Sequence, residues 1–338
     1  MVGGGAVRPR EAVVHSLTQD GDLRERIPLA RDPSGTQRTA ARPAGGWRRT
    51  LEGVALRALA GFSREAAVRR GARLLLEPPR RPLTEAERAV FALARRESAP
   101  TAAGEFPIWV WQGASYRPPT VLLVHDWGGR AADLAAFVAP LRREGARVVA
   151  FDAPAHGEAS GHQLDVIELT AMVAALLRRH SEWAPPRGIV AHGFGALAAT
   201  LAVATGGRAE RLVYLAAAEN FDPYLDSFRR ETGLDEELLE SVRQCVERRV
   251  GRTLESVRGA RLARELERPL LAFHDADDAE VDWEHSRRLV DRWTGARLVR
   301  TFGLGHRGLL QRDAVVAATV EHLMAEPTAS GGAARGGG

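Results

Sequence analysis

Residues 188–198 read Gly188-Ile189-Val190-Ala191-His192-Gly193-Phe194-Gly195-Ala196-Leu197-Ala198. The run from Gly188 to His192 is short and apolar, as a strand buried on both faces is. Two glycines then bracket a sharp turn, and Gly195 to Thr205 continues as an apolar helix. A strand that turns directly into a helix is the opening of the crossover connection that parallel neighbours need.

The chain on either side repeats this alternation. Short apolar or alternating strands are expected at Phe106–Gln112, Val121–His125, Arg147–Asp152, Arg211–Ala216, Pro269–His274 and Ala296–Phe302. Helices are expected at Ala131–Glu144, Leu164–Ser181, Val281–Trp293 and Gly308–Met324. The fold class is therefore α/β, a mostly parallel central sheet flanked by helices, over residues 105–325. A charged helical insertion, 219–267, follows the Arg211–Ala216 strand and is placed to cover the strand ends as a lid. Upstream, residues 46–104 read as a helical preface. Its third helix, Thr84–Glu97, opens on a capping box, Thr84-x-x-Glu87. Residues 1–45 read as a flexible basic arm and 326–338 as a flexible tail, both poor in sustained apolar period.

In such sheets the chemistry sits in loops beyond the carboxyl ends of the strands. Five of these loops carry recognisable content: His125-Asp126-Trp127-Gly128-Gly129, Asp152-Ala153-Pro154-Ala155-His156-Gly157, Ala191-His192-Gly193-Phe194-Gly195, Asp275-Ala276-Asp277-Asp278 and Gly303-Leu304-Gly305-His306. In order and content they resemble the oxyanion loop, the D-x-P-G-H-G loop, the nucleophile elbow, the acid loop and the histidine loop of the α/β-hydrolase superfamily, esterase and lipase type. The resemblance spans about residues 105–324 and implies an α/β-hydrolase fold. It implies His306 as general base, Asp278 as its orienting acid, and the backbone N–H groups of Trp127 and Phe194 as the oxyanion hole.

The elbow holds Gly193 where the family has its nucleophilic serine. No acyl ester can form there, which in a working triad costs about 10⁴–10⁶ in rate. Asp126 stands where the family has glycine, and its carboxylate would repel a developing oxyanion unless it turns away or is protonated. Asp275 also replaces a glycine, so Asp275 and Asp277 compete with Asp278 as partner of His306. His192 is expected to pack behind the elbow as a structural histidine, with Asp126, His192 and Asp275 as modifiers of the site. His156 is expected to close its own turn, and Cys245 to be a buried thiol of the insertion.

Composition narrows the alternatives. All 47 basic residues are arginine, and the absence of lysine excludes Schiff-base chemistry and a P-loop lysine. The pI near 10.0 comes from an excess of arginine, but most arginines alternate with glutamates along helical stretches, as a solvated face does, so no nucleic acid is expected as partner. A single cysteine excludes an intrachain disulfide. No apolar run is long enough to span a membrane, and Met1–Arg10 lacks a signal-peptide core; a cytoplasmic location is expected. The histidines show no metal-ligand spacing, so neither metal nor cofactor is expected.

Three functions compete. The first is a catalytically impaired hydrolase-fold protein that keeps a lidded pocket and uses it to bind a ligand (a small molecule, an acyl or ester compound) or a partner, or for nothing detectable as turnover. The second is an active hydrolase or lyase in which His306 and Asp278 activate water, or Asp126 takes part directly. The third is NAD(P) binding, since Gly193-x-Gly195-x-x-Ala198 also matches a dinucleotide fingerprint with Glu219 as the ribose acid. The first predicts that Gly193→Ser restores esterase activity, unless Asp126 must be replaced by glycine as well.

Overall fold

The computed structural model describes residues 15–17, 46–101, 104–182 and 184–326. In chain order the elements are β1 (His15–Leu17), α1 (Gly46–Phe62), α2 (Arg64–Leu75), α3 (Glu85–Phe91), β2 (Arg95–Thr101), β3 (Gly104–Trp111), β4 (Thr120–Val124), α4 (Ala135–Arg143), β5 (Arg147–Phe151), α5 (Val166–Arg179), β6 (Gly188–His192), α6 (Phe194–Ala204), β7 (Arg211–Leu215), α7 (Asp222–Thr232), α8 (Glu236–Val250), α9 (Gly259–Leu262), β8 (Leu270–Asp275), α10 (Glu284–Val290), β9 (Ala296–Thr301), α11 (Gly305–Gly308) and α12 (Asp313–Met324). The nine strands form one sheet in the order β1-β9-β8-β7-β6-β4-β5-β3-β2. Pairing is parallel from β5 through β4, β6, β7 and β8 to β9. It is antiparallel where β3 joins β5, β2 joins β3 and β1 joins β9.

Alternation along the strands divides the core into two layers. Leu122, Val124, Ile189, Ala191, Leu212 and Tyr214 face one side with α5 and α6. Val121, Leu123, Val190, Val213 and Leu215 face the other with α4 and α12. Residues 194–203 of α6 are all buried, which explains why this helix is apolar around its whole circumference.

Three expected boundaries change. Residues 95–101 form an edge strand instead of the end of the Thr84–Glu97 helix. The capping box is made, with Glu87 N–H donating to Thr84 Oγ1 at 3.3 Å and Thr84 N–H to Glu87 Oε2 at 2.8 Å, but the helix stops at Phe91. Arg95, Arg96 and Glu97 favour helix intrinsically; pairing with Trp109, Val110 and Ile108 overrides that preference, and Pro100 is tolerated on the sheet edge. Secondly, the expected arm, 1–45, contributes β1 to the other edge; the rest of it, and the expected tail beyond residue 326, lie outside the described residues. Thirdly, the final helix is divided into α11 and α12.

The preface helices pack on the insertion. Arg57 Nη1 of α1 donates to the carbonyls of Thr232 and Gly233, at 2.6 and 2.9 Å, where α7 ends. Gly71 of α2 lies against Val242 of α8. Helices α1 and α2 thus pack against α7 and α8, and residues of α1, α2 and α7 line the same cavity as Asp126 and His306. Among the described residues no helix is long and apolar enough to cross a membrane.

Candidate functional site

The carboxyl ends of β4, β6, β8 and β9 bring Asp126, the His192–Phe194 turn, Asp278 and His306 together. His306 Nδ1 lies 2.7 Å from Asp278 Oδ2. The second Asp278 oxygen accepts the N–H groups of Glu280 and Val281, at 2.8 and 3.0 Å, which fixes the carboxylate facing the ring. Asp275 does not compete for His306: it accepts from Thr301 Oγ1 at 2.7 Å, Leu304 N–H at 3.0 Å and Asp277 N–H at 3.0 Å. It shapes the loop that carries the histidine.

Asp126 departs most from expectation. It neither turns away nor loses its charge. It is 3% exposed, and its Oδ1 accepts the Phe194 N–H at 2.6 Å and the Tyr224 O–H at 2.9 Å. Its Oδ2 lies 3.0 Å from His306 Nε2. An ideal Cβ built on Gly193 would overlap Asp126 Oδ1 and Cγ. The Asp126 carboxylate therefore fills the volume that an elbow side chain would need. The Phe194 N–H, expected to face a substrate oxyanion, is already satisfied by a carboxylate oxygen. Gly193 itself has φ +49°, a region that favours glycine.

Electrostatics locks this arrangement. Burial acts to raise the Asp126 carboxyl, but the hydrogen bond and charge of His306 outweigh it and hold the group far below the usual carboxylate range. Burial acts to lower His306, but Asp126 and Asp278 outweigh it and raise the imidazole to about 10. At neutral pH the pair is carboxylate and imidazolium, and His306 has no free lone pair with which to accept a proton. His192 behaves oppositely: burial, then the neighbouring His306 charge, lower it to about 4. Its Nε2 donates to the His306 carbonyl at 3.1 Å, its ring centroid is 4.4 Å from that of His306, and its Nδ1 is buried without a hydrogen-bond partner among the described residues.

The second loop braces the first. His156 Nδ1 donates to the Pro154 carbonyl at 2.9 Å, closing its own turn as expected. Its Nε2 accepts the Gly128 N–H at 3.0 Å, tying down the loop that carries Asp126 and Trp127. Asp152 accepts from Ala131 N–H and Glu158 N–H, both at 2.7 Å.

Tyr224 was not foreseen from sequence. It comes from α7 of the insertion, and with Trp127, Phe194 and Phe221 it forms an aromatic group with ring centroids 5.2–6.4 Å apart. Burial and the adjacent Asp126 charge push its phenol well above the ordinary value, so it stays a donor. The only sequence signal was its position three residues after Phe221 in a segment placed to cover the site. A cavity of about 910 Å³ lies here, lined by Asp126, Trp127, Tyr224, Phe228, Val281 and His306 among others. Cys245 is partly buried in α8 and packs against the core.

Two readings of the sequence meet obstacles. For NAD(P), the N-terminus of α6 would receive a phosphate, but the Asp126 carboxylate occupies its first N–H. Glu219 is buried and turned to Arg258 and Asn220, both at 3.2 Å, rather than held free for a ribose. For metals, Asp126, His192 and His306 each offer a ligand atom, all within 4.8 Å of one another. Local spacing cannot reveal such a group, because the three residues come from three separate loops.

A family profile described as the alpha/beta hydrolase family matches residues 121–319. Among solved structures, an esterase from Pyrococcus furiosus superposes with a TM-score of 0.55 at 20% identity, covering 73% of this chain and 96% of its own. The esterase RhEst1 from Rhodococcus sp. gives 0.51 at 16% identity, covering 68% and 98%. A hydrolase from Pseudomonas aeruginosa gives 0.51 at 19% identity, covering 68% and 99%. At these identities the likeness is one of fold. No curated protein matches the chain. The family match spans more than half of the sequence and contains all the residues gathered at the strand ends, and the chain therefore belongs to the alpha/beta hydrolase family.

Proposed function

We propose that this hydrolase-fold protein does not work as a serine esterase and uses its lidded cavity to bind a small molecule, an acyl or ester compound. One observation carries the reading: the Asp126 carboxylate stands in the volume of the missing nucleophile, bonded to the Phe194 N–H and to His306. The elbow has no nucleophile, the expected oxyanion donor is taken, and the base is held protonated. Each of these alone removes a separate part of acyl transfer.

The test is hydrolysis of short-chain p-nitrophenyl esters by wild type, Gly193→Ser and the double variant Gly193→Ser/Asp126→Gly. Wild type is expected to show negligible turnover. Contrary to expectation from sequence, Gly193→Ser alone should stay inactive, because its Cβ and Asp126 compete for one place. The double variant frees that place, the Phe194 N–H and His306 together, and is expected to gain turnover that His306→Ala abolishes. Wild-type turnover that His306→Ala eliminates would overturn the reading in favour of water activated by His306. Binding by the cavity is read as a rise in melting temperature with added acyl compound, which preferential binding to the folded state requires.

A further inference from the structure

We propose that Asp126, His192 and His306 form a binding site for one divalent transition-metal ion of the zinc class, with an open coordination position toward the lidded cavity. The site stands apart from the silence of residue 193: an esterase-dead protein can bind or lack the ion.

The donor set is two imidazoles and one carboxylate, three protein ligands of the kind that leave a fourth position open on zinc. One donor atom from each lies within 4.8 Å of the others, and all three residues are buried. Asp126 Oδ2 and His306 Nε2 are 3.0 Å apart, close to the ~3.3 Å that separates tetrahedral ligands on bonds of about 2.0 Å. The remaining donor separations are no more than 4.8 Å, so the cluster would contract by at most about 1.5 Å to reach that spacing.

Each ligand is also held from behind, as metal ligands are. The Nδ1 of His306 faces Asp278, leaving Nε2 for the ion. The Nε2 of His192 donates to the His306 carbonyl. That bond makes Nδ1 the lone-pair nitrogen, and this atom is buried without a hydrogen-bond partner among the described residues. A buried acceptor left in that state calls for an explanation, and an electrophile at the cluster supplies one. Asp126 is oriented through its other oxygen by Phe194 N–H and Tyr224 O–H. The ion would stand where the proton between Asp126 and His306 stands. Asp126 and His306 both line the cavity, so the open position can take a water or a carbonyl or carboxylate oxygen of a bound acyl compound.

The test uses the full chain stripped with EDTA and titrated with Co²⁺, followed by Zn²⁺ competition. Wild type is expected to bind one equivalent and to show the intense visible bands of four-coordinate cobalt, which Zn²⁺ bleaches. His192→Ala and Asp126→Asn should each weaken binding at least tenfold. Asp278→Asn, acting through His306, should weaken it about 10–100-fold. His180→Ala, at the far end of α5, should bind as wild type does. Circular dichroism checks that each variant is folded; should His192→Ala fail to fold, Asp126→Asn, which keeps the side-chain shape, decides. Absence of the cobalt bands in wild type, or wild-type affinity in the folded ligand variants, overturns the site.

Discussion

At the elbow, a side chain on residue 193 and the carboxylate of Asp126 compete for one volume, so each residue makes sense only with the other. Glycine at 193 leaves the room that Asp126 takes, and Asp126 supplies the negative partner that His306 meets. This predicts strong coupling. Gly193→Ala should destabilise the fold by about 2–4 kcal/mol, through overlap with a buried charged group and an unfavourable φ. Asp126→Ala removes the overlap but takes from His306 one of its two carboxylate partners, leaving Asp278 on Nδ1. The double variant should be more stable than the sum of the two losses by about 1–3 kcal/mol, read from urea unfolding as a double-mutant cycle. Additive losses would mean that the two side chains do not share that space. Sequence showed Gly193 and Asp126 as two separate departures from one family pattern. Their contact was illegible because it joins the ends of two different strands, and nothing in either loop states where the other points.

Among the elements, α1 does more than precede the fold. It seats α7, and with it Tyr224 and the aromatic wall of the cavity. Gly53 is buried where the two helices cross, and a Cβ there would overlap the Thr232 carbonyl. Gly61, eight residues on in the same helix, is exposed, and a Cβ added to it would meet nothing within 4 Å. The same substitution should therefore act in opposite directions. Gly53→Ala should lower the melting temperature and speed proteolysis within 222–250, as α1 is pushed off α7. Gly61→Ala should raise stability by about 0.5–1 kcal/mol, the helix-propensity gain with no packing cost. If both variants behaved alike, α1 would not be docked on α7 through Gly53. The alternation of strands and helices was legible because buried parallel strands are short and apolar. The strand at 95–101 was not: its arginines and glutamate carry no apolar alternation, and only the neighbouring strand makes it extended.

Over the whole molecule, the Asp278–His306–Asp126 chain ties the first, third, fourth and fifth strand-end loops into one charged unit, and folding stability should carry its titration. His306 is raised to about 10 in the folded protein, against about 6.5 in an unfolded chain. A raised basic group stabilises the fold fully below its unfolded value, and that stabilisation is lost as pH climbs to the folded value. The two carboxyls run the other way. Asp126 and Asp278 are both held below their ordinary range, so their contribution is present above about pH 4 and drains away as acid protonates them. In protein freed of divalent cations, the urea stability of wild type minus that of His306→Gln should be greatest near pH 5–6 and should shrink steadily from about pH 6.5 to 10. Parallel stability curves across that window would mean that His306 is not held as an imidazolium. The imidazole proposed as general base would then be free after all, and the impaired-hydrolase reading would lose its electrostatic support while the steric argument at Gly193 still stood.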